Sequence, residues 1–317
     1  MEPYGSHLVK PYGVLLMAFG GPDSPEAVEP FITNLTGGRR PPPALRDRVI
    51  EKYRRIGGKS PLLDITRAQA RALEDKLGHG FRVYVGMRYW HPFIEEALAQ
   101  MAQDGVRRAA AISLSPHYSR VSTGAYTKEI EEAQSRLGTD LRVKPAGAWY
   151  DHPAFIEALA EKFLGAFYEF PEDRRQGLTV VFSAHSLPLA HIEAGDPYVD
   201  QLRATISALL NRVSGRTGPL DWRLAFQSKG GGQGQWLEPE VEAVLDELAA
   251  AGRGDMLLVP VGFAADHIET LYDIDIAIRG HAESLGLEFR RSASLNASPL
   301  FIEALADIAR KTFEVIV

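Results

Sequence analysis

A segment near the middle of the chain returns almost unchanged at its end. Pro153-Ala-Phe-Ile-Glu-Ala-Leu-Ala160 reappears as Pro299-Leu-Phe-Ile-Glu-Ala-Leu-Ala306, 146 positions later. The helical stretch before Gly105 and the apolar run at 109–114 return as the stretch before Gly252 and the run at 256–261, 147 positions later. Ala/Leu/Glu helices resemble one another by chance, but a matching offset at three separate places argues for duplication. The 317 residues then divide into two similar halves, each of ordinary domain size. We place the halves at 8–149 and 150–317, with a C-terminal helix of about 299–317 free to pack back on the first half.

The class of each half follows from its short apolar runs. Strands are expected near Val14–Ala18, Arg82–Gly86, Ala109–Leu114 and Leu141–Val143, and again near Leu178–Ser183, Arg223–Phe226, Met256–Val261 and Leu287–Phe289. The stretches between them, such as Ile94–Ala102 and Val241–Ala250, carry apolar residues at helical spacing. Strands that are apolar throughout and alternate with helices form parallel sheets covered on both faces. The fold expected is α/β, with two Rossmann-like halves facing a cleft. Ligands in such folds bind beyond the carboxyl ends of the strands.

Composition excludes several classes of function. A net charge of -6 gives no global attraction to nucleic acid or an anionic membrane. There is no cysteine, which removes disulfides, thiolate metal sites, cysteine-ligated iron–sulfur clusters and a cysteine nucleophile. No apolar stretch approaches the roughly 18 residues of a membrane span. Lys10, Pro11 and Gly13 interrupt any signal-peptide core. A soluble, cytoplasmic protein is expected.

The residues that follow the strands carry the chemistry. Phe19-Gly20-Gly21-Pro22 follows the first strand. Gly57-Gly58-Lys59-Ser60 is no phosphate loop, because Tyr53 stands where that motif needs its first glycine. Gly230–Gly234 reads as a flexible loop. A polar, aromatic loop, Ser115–Tyr126, follows the strand at 109–114, and His185-Ser186 follows the strand at 178–183 without a Gly-x-Ser-x-Gly motif. After the strand at 256–261 come Asp266, Glu269, Asp273 and Asp275. On an α-helix the first three share a face. Dipole complementarity explains acids in a first turn but not those beyond it. A carboxylate ladder suits the passage of cations or protons, and an imidazole with a carboxylate suits a divalent transition metal.

At these residues the sequence resembles the ferrochelatases, which insert ferrous iron into a porphyrin. The resemblance runs from about residue 12 to 310. It is carried by Phe19–Pro22, Tyr53-Arg-Arg-Ile-Gly-Gly-Lys-Ser-Pro61, Ser115-Pro-His-Tyr-Ser119, Ser183-Ala-His-Ser-Leu-Pro188, Gln227-Ser228 with Trp236-Leu237, Pro260-Val-Gly-Phe263 and Asp266-His-Ile-Glu-Thr-Leu-Tyr-Asp-Ile-Asp275. It implies that His185 and Glu269 face each other across the macrocycle as catalytic and metal-binding groups, with Asp266 and Asp273 on an outer metal path. The porphyrin contacts it implies are Phe19, Lys52, Tyr53, Ser60, Ser122 and Tyr126. Arg39, Arg40, Arg54 and Arg55 are further donors for the substrate's carboxylates. Fe2+ is a substrate, and no permanently bound cofactor or iron–sulfur cluster is expected. The compact chain resembles the coproporphyrin III branch, and the arginine- and proline-rich segment Gly37–Arg55 argues against an apolar membrane lip. A monomer without nucleic-acid partners is expected. Two positions depart from relatives: Phe19 cannot ligate iron as a tyrosine does there, and Ala277 replaces a glutamate of an outer metal site. Rival readings are a protoporphyrin IX ferrochelatase, a cobalt or iron sirohydrochlorin chelatase of the same fold, and a non-catalytic two-lobed binding protein.

Overall fold

The computed structural model describes residues 11–230 and 234–316. The expected start of the first half at 8–10, the middle of the glycine-rich loop at 231–233, and Val317 lie outside them. The eight apolar runs form eight strands: β1 (Tyr12–Ala18), β2 (Phe81–Met87), β3 (Arg108–Ser113), β4 (Arg142–Pro145), β5 (Thr179–His185), β6 (Asp221–Gln227), β7 (Asp255–Val259) and β8 (Glu288–Arg291). They make two four-stranded parallel sheets of orders β2-β1-β3-β4 and β6-β5-β7-β8. The same order twice is the structural form of the repeat. β1 is buried at every position, because a central parallel strand is covered on both faces, and this is why it reads as continuously apolar.

The helices of the first half are α1 (Val28–Leu35), α2 (Pro43–Arg55), α3 (Leu62–Leu77), α4 (Ile94–Gln103) and α5 (Thr123–Leu137). Those that follow are α6 (Pro153–Tyr168), α7 (Leu189–Glu193), α8 (Tyr198–Thr217), α9 (Val241–Ala250), α10 (Arg279–Ser284) and α11 (Pro299–Glu314). A ten-residue π-helix, Glu269–Ile278, runs directly into α10. The two segments found as the sequence echo are α6 and α11. Each opens on a proline at its first position, where the missing N–H costs nothing and the fixed φ suits a helix.

These two helices exchange places. α6 follows the first sheet but packs on α8 and β7; α11 follows the second sheet but packs on α3 and β3. Phe313 of α11 lies 5.4 Å from the Tyr12 ring and 5.5 Å from the Phe81 ring, and Phe301 lies 5.7 Å from Trp149. One apolar core therefore runs continuously through both halves, from Val14, Leu16 and Ile112 through α3, α11, α6 and α8 to Val180, Phe182 and Leu257. Smaller cores cover the outer faces, under α4 and α5 on one side and under α9, the π-helix and α10 on the other.

A second tie is polar. His117 Nε2 is 2.8 Å from Thr205 Oγ1, Tyr118 N donates to Gln201 Oε1 at 2.6 Å, and Asp196 accepts from Ser119 Oγ at 3.1 Å and Arg120 N at 2.8 Å. The loop after β3 is thus clamped to the segment leading into α8. Above the strand ends, α1 and α2 build a small core of Val28, Phe31, Ile32 and Tyr53 that extends to Trp90 and Ile268. Among the described residues no helix is long and apolar enough to cross a membrane.

Candidate active site

His185 is the last residue of β5, in register with Gln227 at the end of β6. Neighbouring strands in register present their side chains on the same face of the sheet, so the imidazole and the Gln227 amide stand side by side. The backbone here is held by Tyr198, whose Oη donates to the His185 carbonyl at 3.1 Å. The loop after β7 passes close by. A Cβ on Gly262 would lie 3.0 Å from Ala184 Cβ and 3.1 Å from Ala184 Cα, so only glycine permits the approach. That loop delivers the π-helix, whose first residue is Glu269. Glu269 Oε2 then lies 2.9 Å from His185 Nδ1.

The two groups tune each other. Burial pulls the His185 pKa down, but the charge and hydrogen bond of Glu269, with a contribution from Asp273, outweigh it and leave the imidazole above its ordinary value. Burial likewise pushes Glu269 up, and His185, His267 and Ser228 outweigh that and hold it below the usual carboxylate range. Each group thus favours the charged form of the other. In its neutral form the imidazole can take up a proton, which the neighbouring carboxylate stabilises, and the pair offers one nitrogen and one carboxylate to a cation. Among the described residues no three His, Asp or Glu side chains are placed to hold a metal ion.

The expected ladder is only half present. The helix begins at Ile268, so Asp266 stands outside it and off the face of Glu269. Its oxygens accept from Ser294 Oγ at 2.7 Å and Asn296 Nδ2 at 2.9 Å, and Arg291 lies 3.4 Å away. Arg291 also clasps Asp275 with two hydrogen bonds of 2.8 Å. Asp266 and Asp275 thus belong to one buried-side network around Arg291. Asp273 does stay with Glu269 on the wider turn of the π-helix, an irregularity found mostly at functional sites. It accepts from Ser228 Oγ at 2.6 Å and from Lys52 Nζ at 2.8 Å. Ser228 holds a left-handed backbone, φ 56°, which is uncommon without glycine and clusters at functional sites.

The expected porphyrin contacts separate by burial. Phe19 is 43% exposed at the end of β1, its ring 4.7 Å from Tyr89. Ser122 is half-buried before α5. Ser60, Tyr53 and Tyr126 are buried. Ser60 joins Pro22 by its N–H at 2.7 Å and caps Leu62 N at 3.3 Å. Burial raises the Tyr53 and Tyr126 hydroxyls far above their ordinary pKa, in Tyr53 with help from Glu269 and Asp273. Lys52 reaches Asp273. Of the arginines, Arg40 pairs with Glu29 and Arg54 with Glu51, whereas Arg39 and Arg55 have no carboxylate partner among the described ion pairs. Three neighbours escaped sequence reasoning. His267 Nε2 lies 4.0 Å from Glu269, Ser228 holds Asp273, and the Gln227 amide is buried with no hydrogen-bond partner on either atom. Gln227 closes β6, Ser228 follows it directly, and His267 lies in the segment that leads from β7 into the π-helix.

This arrangement lies within residues 11–313, which match the family model for ferrochelatase. The chain belongs to the ferrochelatase family. It is 44% identical to a ferrochelatase of Geotalea daltonii over 314 residues, covering 94% of this chain and 96% of that one. It is 37% identical to a coproporphyrin III ferrochelatase of Geobacillus kaustophilus, covering 95% and 96% of the two chains. Among solved structures, the cobalt complex of the sirohydrochlorin chelatase SirB from Bacillus subtilis superposes with a TM-score of 0.55 at 14% identity, covering 96% of this chain and 95% of that one. That likeness establishes the shared two-sheet fold, and the family match makes this a metal chelatase acting on a porphyrin and iron.

Proposed function

We propose that the chain inserts Fe2+ into coproporphyrin III to give Fe-coproporphyrin III, with His185 and Glu269 at the ring centre. The observation that carries the assignment of roles is the 2.9 Å contact of His185 with Glu269 beyond the ends of two parallel strands. Insertion requires water to leave Fe2+, two N–H protons to leave the ring, and the flat ring to bend. His185 in its neutral form accepts one pyrrole proton, Glu269 stabilises the imidazolium that results, and the second proton leaves to water. Help of this kind is worth about 10²–10⁴-fold. Imidazole and carboxylate also form a ferrous site weak enough to release the metal. Contacts at the ring's edge, with Phe19 below and Ser122 at the rim, supply binding energy that bends the ring. Asp273 gathers iron one step further out.

Two observations support the coproporphyrin substrate: the resemblance to the Geobacillus kaustophilus enzyme, and the unpaired guanidinium groups of Arg39 and Arg55, which suit a ring richer in carboxylates than protoporphyrin. No cysteine is present to ligate an iron–sulfur cluster. In this reading the enzyme works as a cytoplasmic monomer, which sedimentation and cell fractionation check. The decisive experiment is anaerobic iron insertion into coproporphyrin III and protoporphyrin IX side by side, with wild type and His185→Ala. Wild type should show the higher kcat/KM with coproporphyrin, and the variant should lose insertion while still quenching porphyrin fluorescence. A higher kcat/KM with protoporphyrin would overturn the choice of substrate, and substantial turnover by the variant would overturn the role of His185.

A further inference from the structure

Charge around the π-helix is almost fully matched by partners inside the chain. Glu269 faces His185, and Asp266 and Asp275 share Arg291. Asp273 has one oxygen on Ser228 and the other on Lys52. These partners are not equivalent. Arg291 is buried at its head, 12% exposed, and grips Asp275 with a planar fork; such a group does not swing away. Lys52 is a single ammonium on a flexible stem, 32% exposed. It comes from α2, 221 residues away in the chain, so its stem arrives from the other half of the molecule. Its ammonium also lies 5.0 Å from the centre of the Tyr272 ring, whose face attracts cations. The Arg55 guanidinium lies 5.4 Å from the same ring, so Lys52 sits beside a second cation that favours its departure toward solvent.

We propose that Lys52 is a displaceable counter-cation on Asp273, which an incoming divalent ion must replace. The inference rests on the reading that Asp273 lies on the iron route. With no metal bound, the ammonium neutralises a carboxylate that would otherwise repel Glu269. When a divalent cation arrives, Asp273 exchanges one cation for another and Lys52 moves out toward solvent. No bond is made or broken beyond this ion exchange. Lys52 thereby sets the metal concentration at which Asp273 loads, and it acts as a specificity residue: a cation that dehydrates reluctantly, such as Mg2+, competes poorly with the resident ammonium, and a transition metal competes better. The part first expected of this lysine, holding a carboxylate of the porphyrin, makes a different demand on the same side chain.

The test uses the full-length chain and two readouts. The first is Mn2+ binding without porphyrin, followed by the electron paramagnetic resonance signal of free Mn2+. The second is the separate KM values for Fe2+ and for porphyrin. Lys52→Met removes the charge and keeps the stem. It should tighten Mn2+ binding and lower the KM for Fe2+, each about two- to fivefold, the range that loss of a partly exposed ion pair allows. Lys52→Arg, which keeps a cation, should not tighten either. Adding Asp273→Asn to Lys52→Met should abolish the gain. A general loosening between the halves cannot lower a KM for iron, so the direction separates exchange from a structural role. If Lys52→Met folds poorly, Lys52→Gln carries the same expectations. Unaltered Mn2+ affinity in the charge-removed variants, or a raised porphyrin KM with iron KM unmoved, would overturn the proposal. A wild-type chain that inserts no iron into either porphyrin counts against the proposed function, while the Mn2+ titration still decides the role of Lys52.

Discussion

His185 and Glu269 hold each other in the charged form, and this fixes the sign of the pH dependence. An imidazole raised above its ordinary value becomes a proton acceptor only as pH climbs through that raised value. The rate should therefore fall on the acid side at a pH above that of a free histidine. Glu269→Gln removes the carboxylate and leaves burial, which pulls the imidazole down. The acid limb of the kcat/KM profile should move to lower pH, and turnover should drop about 10²–10⁴-fold. Were Glu269 only a partner of the helix dipole, the change would cost about 0.3–1 kcal/mol of stability and leave the profile alone. Both residues could be found in the sequence because His185 closes a strand and Glu269 opens the helical segment that follows one. Lys52 could not be placed that way: its hydrogen-bond partner is 221 positions distant, and no local pattern encodes such a pairing. The burial of Ser60 and Tyr126 was hidden for another reason. A polar group in a motif reads the same whether it lines a cleft or satisfies a backbone N–H beneath it.

At the scale of the element, all eight strands were legible and the helix carrying Glu269 was not. Apolar runs mark central parallel strands because both faces are buried, whereas the choice between α and π turns depends on tertiary partners. Spacing for an α-helix placed Asp266 on the ladder; the observed start at Ile268 leaves it bonded to Ser294 and Asn296. The clamp between the loop after β3 and the start of α8 was also invisible, since its members lie 76 to 88 positions apart. Its energetics are testable. Asp196 is buried and accepts from Ser119, Arg120 and Tyr198. Asp196→Ala strands these donors and should cost about 2–5 kcal/mol in chemical denaturation. His117 adds a pH term. Burial lowers its pKa from 6.5 to about 3, so below pH 6.5 the unfolded chain binds a proton that the native one refuses. This contribution to stability is complete above 6.5, declines as pH falls, and levels off near 3, a span worth a few kcal/mol. His117→Gln should flatten that decline in unfolding curves recorded from pH 7 to 4.

For the whole molecule, the repeat in sequence announced two halves, but not the way they are closed. The exchange of α6 and α11 gives each sheet a cover drawn from the far side of the duplication. Deleting residues 299–317 should therefore damage the first sheet as much as the second. Hydrogen exchange on the truncated chain should show lost protection in β1 and β3, although those strands end more than 180 residues before the cut. Intact protection there would contradict a shared core. The same exchange has a consequence on the ribosome. β4 ends at Pro145 and α11 begins at Pro299, so the first sheet is complete long before its covering helix has been made. At about 5–20 residues per second, its inner face waits roughly 8–30 s for that helix. Through this interval Val14, Leu16 and Ile112 lack the contacts that bury them in the finished protein. Synthesis order therefore makes the amino-terminal half a client for chaperones until the last helix emerges.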